Sequence, residues 1–124
     1  MTTSVGLILL VSGLVTTGGG LAAFLQPRLF LRLGFGDESP TGTAVFFVRH
    51  WGILIIAIGV LTVYSAYFPA IRVPVLIAAI VEKFAIGLLV LFGPLKRTGG
   101  MTTISLVDGL FAILYVIYLS AASN

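Results

Sequence analysis

Residues 73–92 read VPVLIAAIVEKFAIGLLVLF, an apolar run whose only charges are an acid and a base side by side, Glu82-Lys83. A run of this length crosses the ~30 Å hydrocarbon core of a bilayer as a helix. A charged side chain near the bilayer centre costs at least ~2.5 kcal/mol on insertion scales, so other groups must offset it. Two further apolar runs carry charges of their own, Arg49 beside His50 in one and Asp108 in the other. The expectation is a bundle of transmembrane helices with a polar cluster inside it, and that cluster is where function is sought.

Composition agrees with this solvent assignment. Hydrophobic residues make up 59% of the 124 residues and charged residues 9%, and the mean hydropathy is +1.19, a balance that excludes a soluble globule of this size. The length holds four spans of about 20 residues with short connections, hence a single domain over 1–124. With no cysteine, disulfides, thiol catalysis, iron–sulfur clusters and thiolate metal sites are excluded. The net charge is +3, and the basic residues lie mostly in expected connections, where they read as topology signals and head-group contacts and not as a nucleic-acid surface.

The spans are expected at about 3–25, 44–68, 70–92 and 102–121, giving an all-α, polytopic four-helix bundle. Pro27, Pro40, Pro69 and Pro94 stand at or just beyond span ends, and Gly99-Gly100 precedes the last span, which is where a missing N–H or a flexible backbone does least harm. Pro74 falls in the first turn of the third span, a position that tolerates proline, so the second and third spans are expected to form a close antiparallel pair. The first span offers small residues at Leu21-Ala22-Ala23, as a cleavage site would, but Met1–Gly6 carries no Lys or Arg, and it is read as a retained helix. In the first connection, from Gln26 to Thr43, Leu29, Phe30, Leu33 and Phe35 alternate with Arg28 and Arg32 at helical spacing. This pattern predicts a short amphipathic helix flat on the inner leaflet, ended by Gly34 and Gly36, with an irregular basic loop as the alternative. The following Asp37-Glu38-Ser39-Pro40-Thr41 supplies a capping environment for the second span.

Gly6, Gly13 and Gly20 recur every seven residues along the first span, with Thr16 and Thr17 between them, and Gly52 and Gly59 do the same along the second. Small residues on one stripe let helices approach closely, and that accounts for Gly18-Gly19-Gly20 without a phosphate site.

At 1.5 Å per residue, Arg49 lies ~7 Å and Asp108 ~9 Å from the cytoplasmic ends of their helices, with Glu82 and Lys83 at ~14 Å. Arg49, Lys83, Glu82 and Asp108 sum to zero charge, so mutual pairing is expected, with Arg49 and Asp108 the tighter couple on depth. Neighbours on a helix point ~100° apart, so one of Glu82 and Lys83 is expected to meet the second helix and the other the fourth, unless Lys83 snorkels. The alternative is that these pairs set helix register and do no chemistry. His50 has no second ligand candidate beyond the acids, so no metal site and no cofactor are expected. Trp51 fits an interfacial anchor, and Tyr64, Tyr67, Tyr115 and Tyr118 an aromatic belt, Tyr115 sharing a face with Asp108.

The order Pro27, Gly34, Arg49-His50-Trp51-Gly52, Gly59, Glu82-Lys83 and Asp108 resembles the small four-helix bacterial membrane proteins grouped as DoxX-like and related uncharacterised families. Some DoxX relatives are linked to membrane oxidoreductases that use quinones, so the resemblance implies a lipophilic partner held between helices. The absence of cysteine and of a redox motif keeps that activity from being carried over. Two Pro-basic-Gly connections, Gln26 to Gly34 and Gly93 to Gly100, also suggest a duplicated helix pair.

Three functional classes follow. The favoured one is a non-enzymatic bundle, an accessory subunit or a binder of a lipophilic small molecule such as a quinone or lipid, with Arg49, His50, Trp51, Glu82, Lys83, Asp108 and Tyr115 as binding candidates. The second is an acid–base enzyme on an apolar substrate, with Glu82 or Asp108 shuttling a proton and His50 assisting. The third is a proton-coupled transporter, a homo-oligomer because four helices enclose little volume. The partners expected are the lipid bilayer and a lipophilic ligand or membrane protein, not nucleic acid.

Arg28 and Arg32 lie in the first connection and Lys96 and Arg97 in the third, against Arg72 alone in the second. The positive-inside rule then puts the first and third connections in the cytoplasm of an inner membrane and both termini outside. A reporter active only in the cytoplasm should therefore be silent when fused after Asn124 and active when inserted near Arg97; the reverse pattern would overturn this orientation.

Overall fold

The computed structural model describes residues 4–93 and 98–122. The chain forms α1 (Ser4–Leu25), α2 (Pro27–Phe35), α3 (Gly42–Tyr67), a 3-10 turn at Pro69–Ile71, α4 (Arg72–Phe92) and α5 (Gly99–Ala122), with no strand among the described residues. Four of these segments are long and apolar enough to cross a membrane: α1, α3, the 3-10 turn with α4, and α5. Large apolar side chains such as Leu7, Leu14, Leu25, Phe46, Ile77, Leu89 and Ile117 point outward. That surface suits hydrocarbon and not water, and the protein is a multi-pass, four-helix membrane bundle.

The helix ends follow from local chemistry. Pro27 opens α2, and Gly36 closes it in the left-handed conformation (φ 72°), its N–H donating to the Arg32 carbonyl at 3.1 Å while Asp37 N–H reaches back to Leu31. Glycine takes that conformation without steric cost. Gly34, expected to help end the helix, instead lies within it, and the reason is contact with α5: a methyl group on Gly100 would stand 2.5 Å from the Gly34 carbonyl oxygen. The Thr98 hydroxyl donates to that same carbonyl at 2.7 Å and accepts from Met101 N–H at 3.1 Å, so one side chain both docks α2 and caps α5. Thr41 caps α3 by accepting from Ala44 N–H at 3.1 Å. At the other end of α3, Arg72 donates from Nε to the Ser65 carbonyl at 2.7 Å and from Nη2 to Ala66 at 3.0 Å. These are carbonyls that a helix C-terminus leaves without internal partners. Pro94, Lys96 and Arg97 lie outside the described residues.

The heptad glycines set the closest packing. A methyl group on Gly20 would stand 2.7 Å from the Gly52 carbonyl oxygen, and one on Gly13 would stand 2.9 Å from that of Gly59 and 2.8 Å from Val63 N. The two glycine pairs share one antiparallel register, which puts Gly6 level with the buried Ala66. The close pair is thus α1 with α3, not the second and third spans: α4 does run beside α3, but it packs more extensively on α5. Tight turns bring consecutive helices together, whereas only the glycine stripes let two backbones touch.

At the end opposite α2, Leu9, Ala66, Leu76, Ala79 and Tyr115 form a dry core from all four spanning helices. At its own end α2 buries Pro27 and Leu31 and leaves Arg28, Arg32 and Leu33 exposed, the division expected of an amphipathic helix.

Gly59→Val should lower the melting stability of the purified protein by about 1–3 kcal/mol, the usual cost of overpacking a tight contact. Gly18→Ala, where a methyl group meets nothing within 4 Å, should leave it unchanged. Equal losses at both positions would mean that the glycine contacts do not hold α1 to α3.

Candidate functional site

Lys83 on α4 is the best-buried charged side chain among the described residues. Lys83 is 1% exposed, and its Nζ donates to Thr16 Oγ1 on α1 at 3.0 Å and to Asp108 Oδ1 on α5 at 3.2 Å. Glu82 Oε1 stands 3.7 Å from the same nitrogen, an ion pair without a hydrogen bond, and the Phe111 ring centroid lies 5.6 Å from it. Lys83 therefore does not snorkel. Its long stem turns inward because two acceptors, from two other helices, lie within its reach. Both Glu82 oxygens are buried and accept no hydrogen bond from the described residues.

Arg49 does not join this cluster. Its side chain is exposed, and Asp108 pairs with Lys83 instead. The cause is helical phase. The inward stripe of α3 runs through Gly52, Ile55, Gly59 and Thr62, and 100° per residue puts Val48 on that line and turns Arg49 off it. Depth along the axis was a fair guide, but azimuth decided the pairing. His50, one residue further round, is exposed as well. Glu82 and Lys83, expected to diverge toward α3 and α5, both face Lys83's pocket, with Lys83 bridging α1 and α5.

Thr16, read from the sequence only as a small residue of the glycine stripe, and Ser12, to which that reading gave no role, are polar neighbours of the cluster. They sit one turn apart on α1: Thr16 accepts from Lys83, and Ser12 accepts from the Tyr115 hydroxyl while donating to the Leu9 carbonyl at 3.4 Å. Tyr115, 1% exposed, belongs to the dry core rather than to an interfacial belt. Tyr64 and Tyr67 are exposed, as a belt requires, and Tyr64 stacks on Phe68 with centroids 4.3 Å apart. The signal for the hydroxyls was their spacing, since Ser12 and Thr16 share a face beside the glycine stripe.

Glu82, Lys83, Asp108 and Thr16 line a chamber of ≈ 180 Å³, walled also by Trp51, Phe30 and Ile55. A larger cavity of ≈ 880 Å³ opens at the α2 end, lined by Leu31, Phe35, Ala44, Val48, Ile86 and Thr98, and again by Phe30 and Trp51. The shared rings stand with centroids 5.5 Å apart, tilted by 44°. The lining steps inward along each helix, from Val48 through Trp51 to Ile55 on α3 and from Ile86 to Lys83 on α4. Two neighbouring cavities thus share the Phe30 and Trp51 side chains, one mostly apolar, the vestibule, and one carrying the charges, with the Tyr115–Ser12 pair and the apolar core beyond the second. Among the described residues no three His, Asp or Glu side chains converge as metal ligands. The geometry can hold a molecule with an apolar body and a polar head.

No family model, curated protein or solved structure matches the chain.

A double-mutant cycle checks the pairing. Lys83→Met and Asp108→Asn should each destabilise the bundle, and the double mutant should lose about 1–3 kcal/mol less than the sum, as contacting residues do. Arg49→Ala and Asp108→Asn should add to within about 0.5 kcal/mol. Coupling of Asp108 to Arg49 and not to Lys83 would overturn the assignment.

Proposed function

We propose that this protein is an inner-membrane binder of a lipophilic small molecule of the quinone or lipid type, held with its apolar part in the vestibule and its polar head toward Glu82, Lys83 and Asp108. The observation that carries the reading is the ≈ 880 Å³ cavity, mostly apolar, which shares the walls Phe30 and Trp51 with the charged chamber. Binding pockets for small molecules have this size and this composition, mostly apolar walls with a few convergent polar groups. Burying the charges is costly, and a purely structural ion pair needs no cavity beside it. Both termini face away from the cytoplasm in this reading, with α2 on the inner leaflet beneath the vestibule.

A second reading rests on Glu82 alone. A carboxylate that lines the chamber and accepts no hydrogen bond from the described residues is available to exchange a proton with a bound apolar substrate, which is acid–base catalysis. His50, exposed and outside the chamber, takes no part in it.

Mass spectrometry after mild extraction should find a lipophile retained by the folded protein. Trp51 is the only tryptophan, so its emission reports occupancy directly. A long-chain quinone should quench it saturably in nanodiscs, and Ala44→Phe, which fills the vestibule, should weaken that binding about tenfold, as a bulky ring in a well-packed site costs 1–3 kcal/mol. Non-saturable quenching that ignores Ala44→Phe, with nothing retained on extraction, would leave the cavity without a ligand and overturn the reading.

A further inference from the structure

The charges in the chamber do not balance. With Arg49 exposed, the ionisable side chains lining it are Glu82, Lys83 and Asp108, formally two negative charges against one positive. The single ammonium is already engaged: two of its three protons go to Asp108 and Thr16. Glu82 has its attraction at 3.7 Å but no donor on either oxygen among the described residues. A buried carboxylate without hydrogen bonds is among the costliest groups a protein interior can hold, and more so within a bilayer.

We infer that the bound molecule carries a cationic head group, so that the ligand is a lipophilic amine whose ammonium pairs with Glu82. This rests on the lipophile-binding reading and narrows it. An ammonium supplies both missing quantities, a positive charge that brings the chamber to neutrality and N–H donors for the empty carboxylate lone pairs. A hydroxyl head supplies a donor and leaves the charge, and an anionic head adds to it. The rings of Phe30 and Trp51, which line the chamber as well as the vestibule, suit the same chemistry, because aromatic faces attract cations through the ring quadrupole. The remaining tail of such a molecule lies in the vestibule, whose walls are mostly aliphatic and aromatic, with Asp37 and Thr98 among them. Lys83 stays with Asp108 throughout, which keeps the two ammonium groups on different carboxylates.

The test compares decylamine with decanol, equal in tail and different in head, titrated into the full chain in nanodiscs of zwitterionic phosphatidylcholine and read by Trp51 emission. The amine should bind about tenfold more tightly than the alcohol, the margin of a charge-assisted over a neutral hydrogen bond. In Glu82→Gln, which leaves the Lys83–Asp108 pair in place, the preference should fall to within about twofold. Equal, saturable binding of the two to the wild-type protein would mean that a proton and not a ligand neutralises Glu82, overturning the inference while the lipophile reading stands. A preference that survives Glu82→Gln would place recognition elsewhere and overturn it too. If neither compound binds saturably, the lipophile reading falls and takes this inference with it.

Discussion

An ammonium carried about halfway along an apolar helix has to find its acceptors inside the protein, because hydrocarbon offers none. Lys83 finds them on two helices at once, Thr16 on α1 and Asp108 on α5. That requirement joins the two halves of the bundle. The backbones of α1 and α3 hold each other through glycine contacts, and α4 and α5 pack as a second pair; the Lys83 ammonium ties the second pair to the first. Van der Waals packing between apolar helices in lipid has little to distinguish one rotation from another, since lipid tails are as apolar as leucine. A buried charge with fixed partners does distinguish them, and so sets which faces of α1, α4 and α5 meet.

The work on α1 is divided between two faces. Gly13 and Gly20 present backbone to α3, where any side chain would collide. Ser12 and Thr16, on the adjoining face, present hydroxyls to Tyr115 and Lys83. The one face brings α3 close enough that Trp51 and Ile55 reach the chamber wall, and the other supplies the acceptors that keep Lys83 from the membrane surface. A helix built only of leucine could do neither, because the first needs an absent side chain and the second a short polar one.

These same contacts create the cavity. Where the α1–α3 and α4–α5 pairs meet near Tyr115 they close into a dry core. Toward α2 they leave a gap that α2, pinned to α5 by Thr98 and Gly34, borders without filling. The charged chamber lies beside that gap, and Phe30 from α2 and Trp51 from α3, in ring contact, line both. A polar cluster beside a lipophilic cavity thus follows from how the bundle closes at one end and stays open at the other.

Hydropathy, proline positions and caps were enough to locate all four spans and the short helix after the first, because each depends on residues close in sequence and on the exclusion of backbone polar groups from lipid. The heptad glycines announced close packing for the same local reason, as did the charged residues the need for a polar interior. Which helices the glycines join, and which charges meet, were legible only in three dimensions. Arg49 and Val48 differ by one residue along the chain and by 100° around the helix, and that rotation removes Arg49 from the cluster, gives Asp108 to Lys83 and leaves Glu82 without a donor among the described residues. Helix length and polarity are set by a segment and its solvent, and the sequence contains both; azimuth is set by the fit of one helix against the others, and only the assembled bundle contains that.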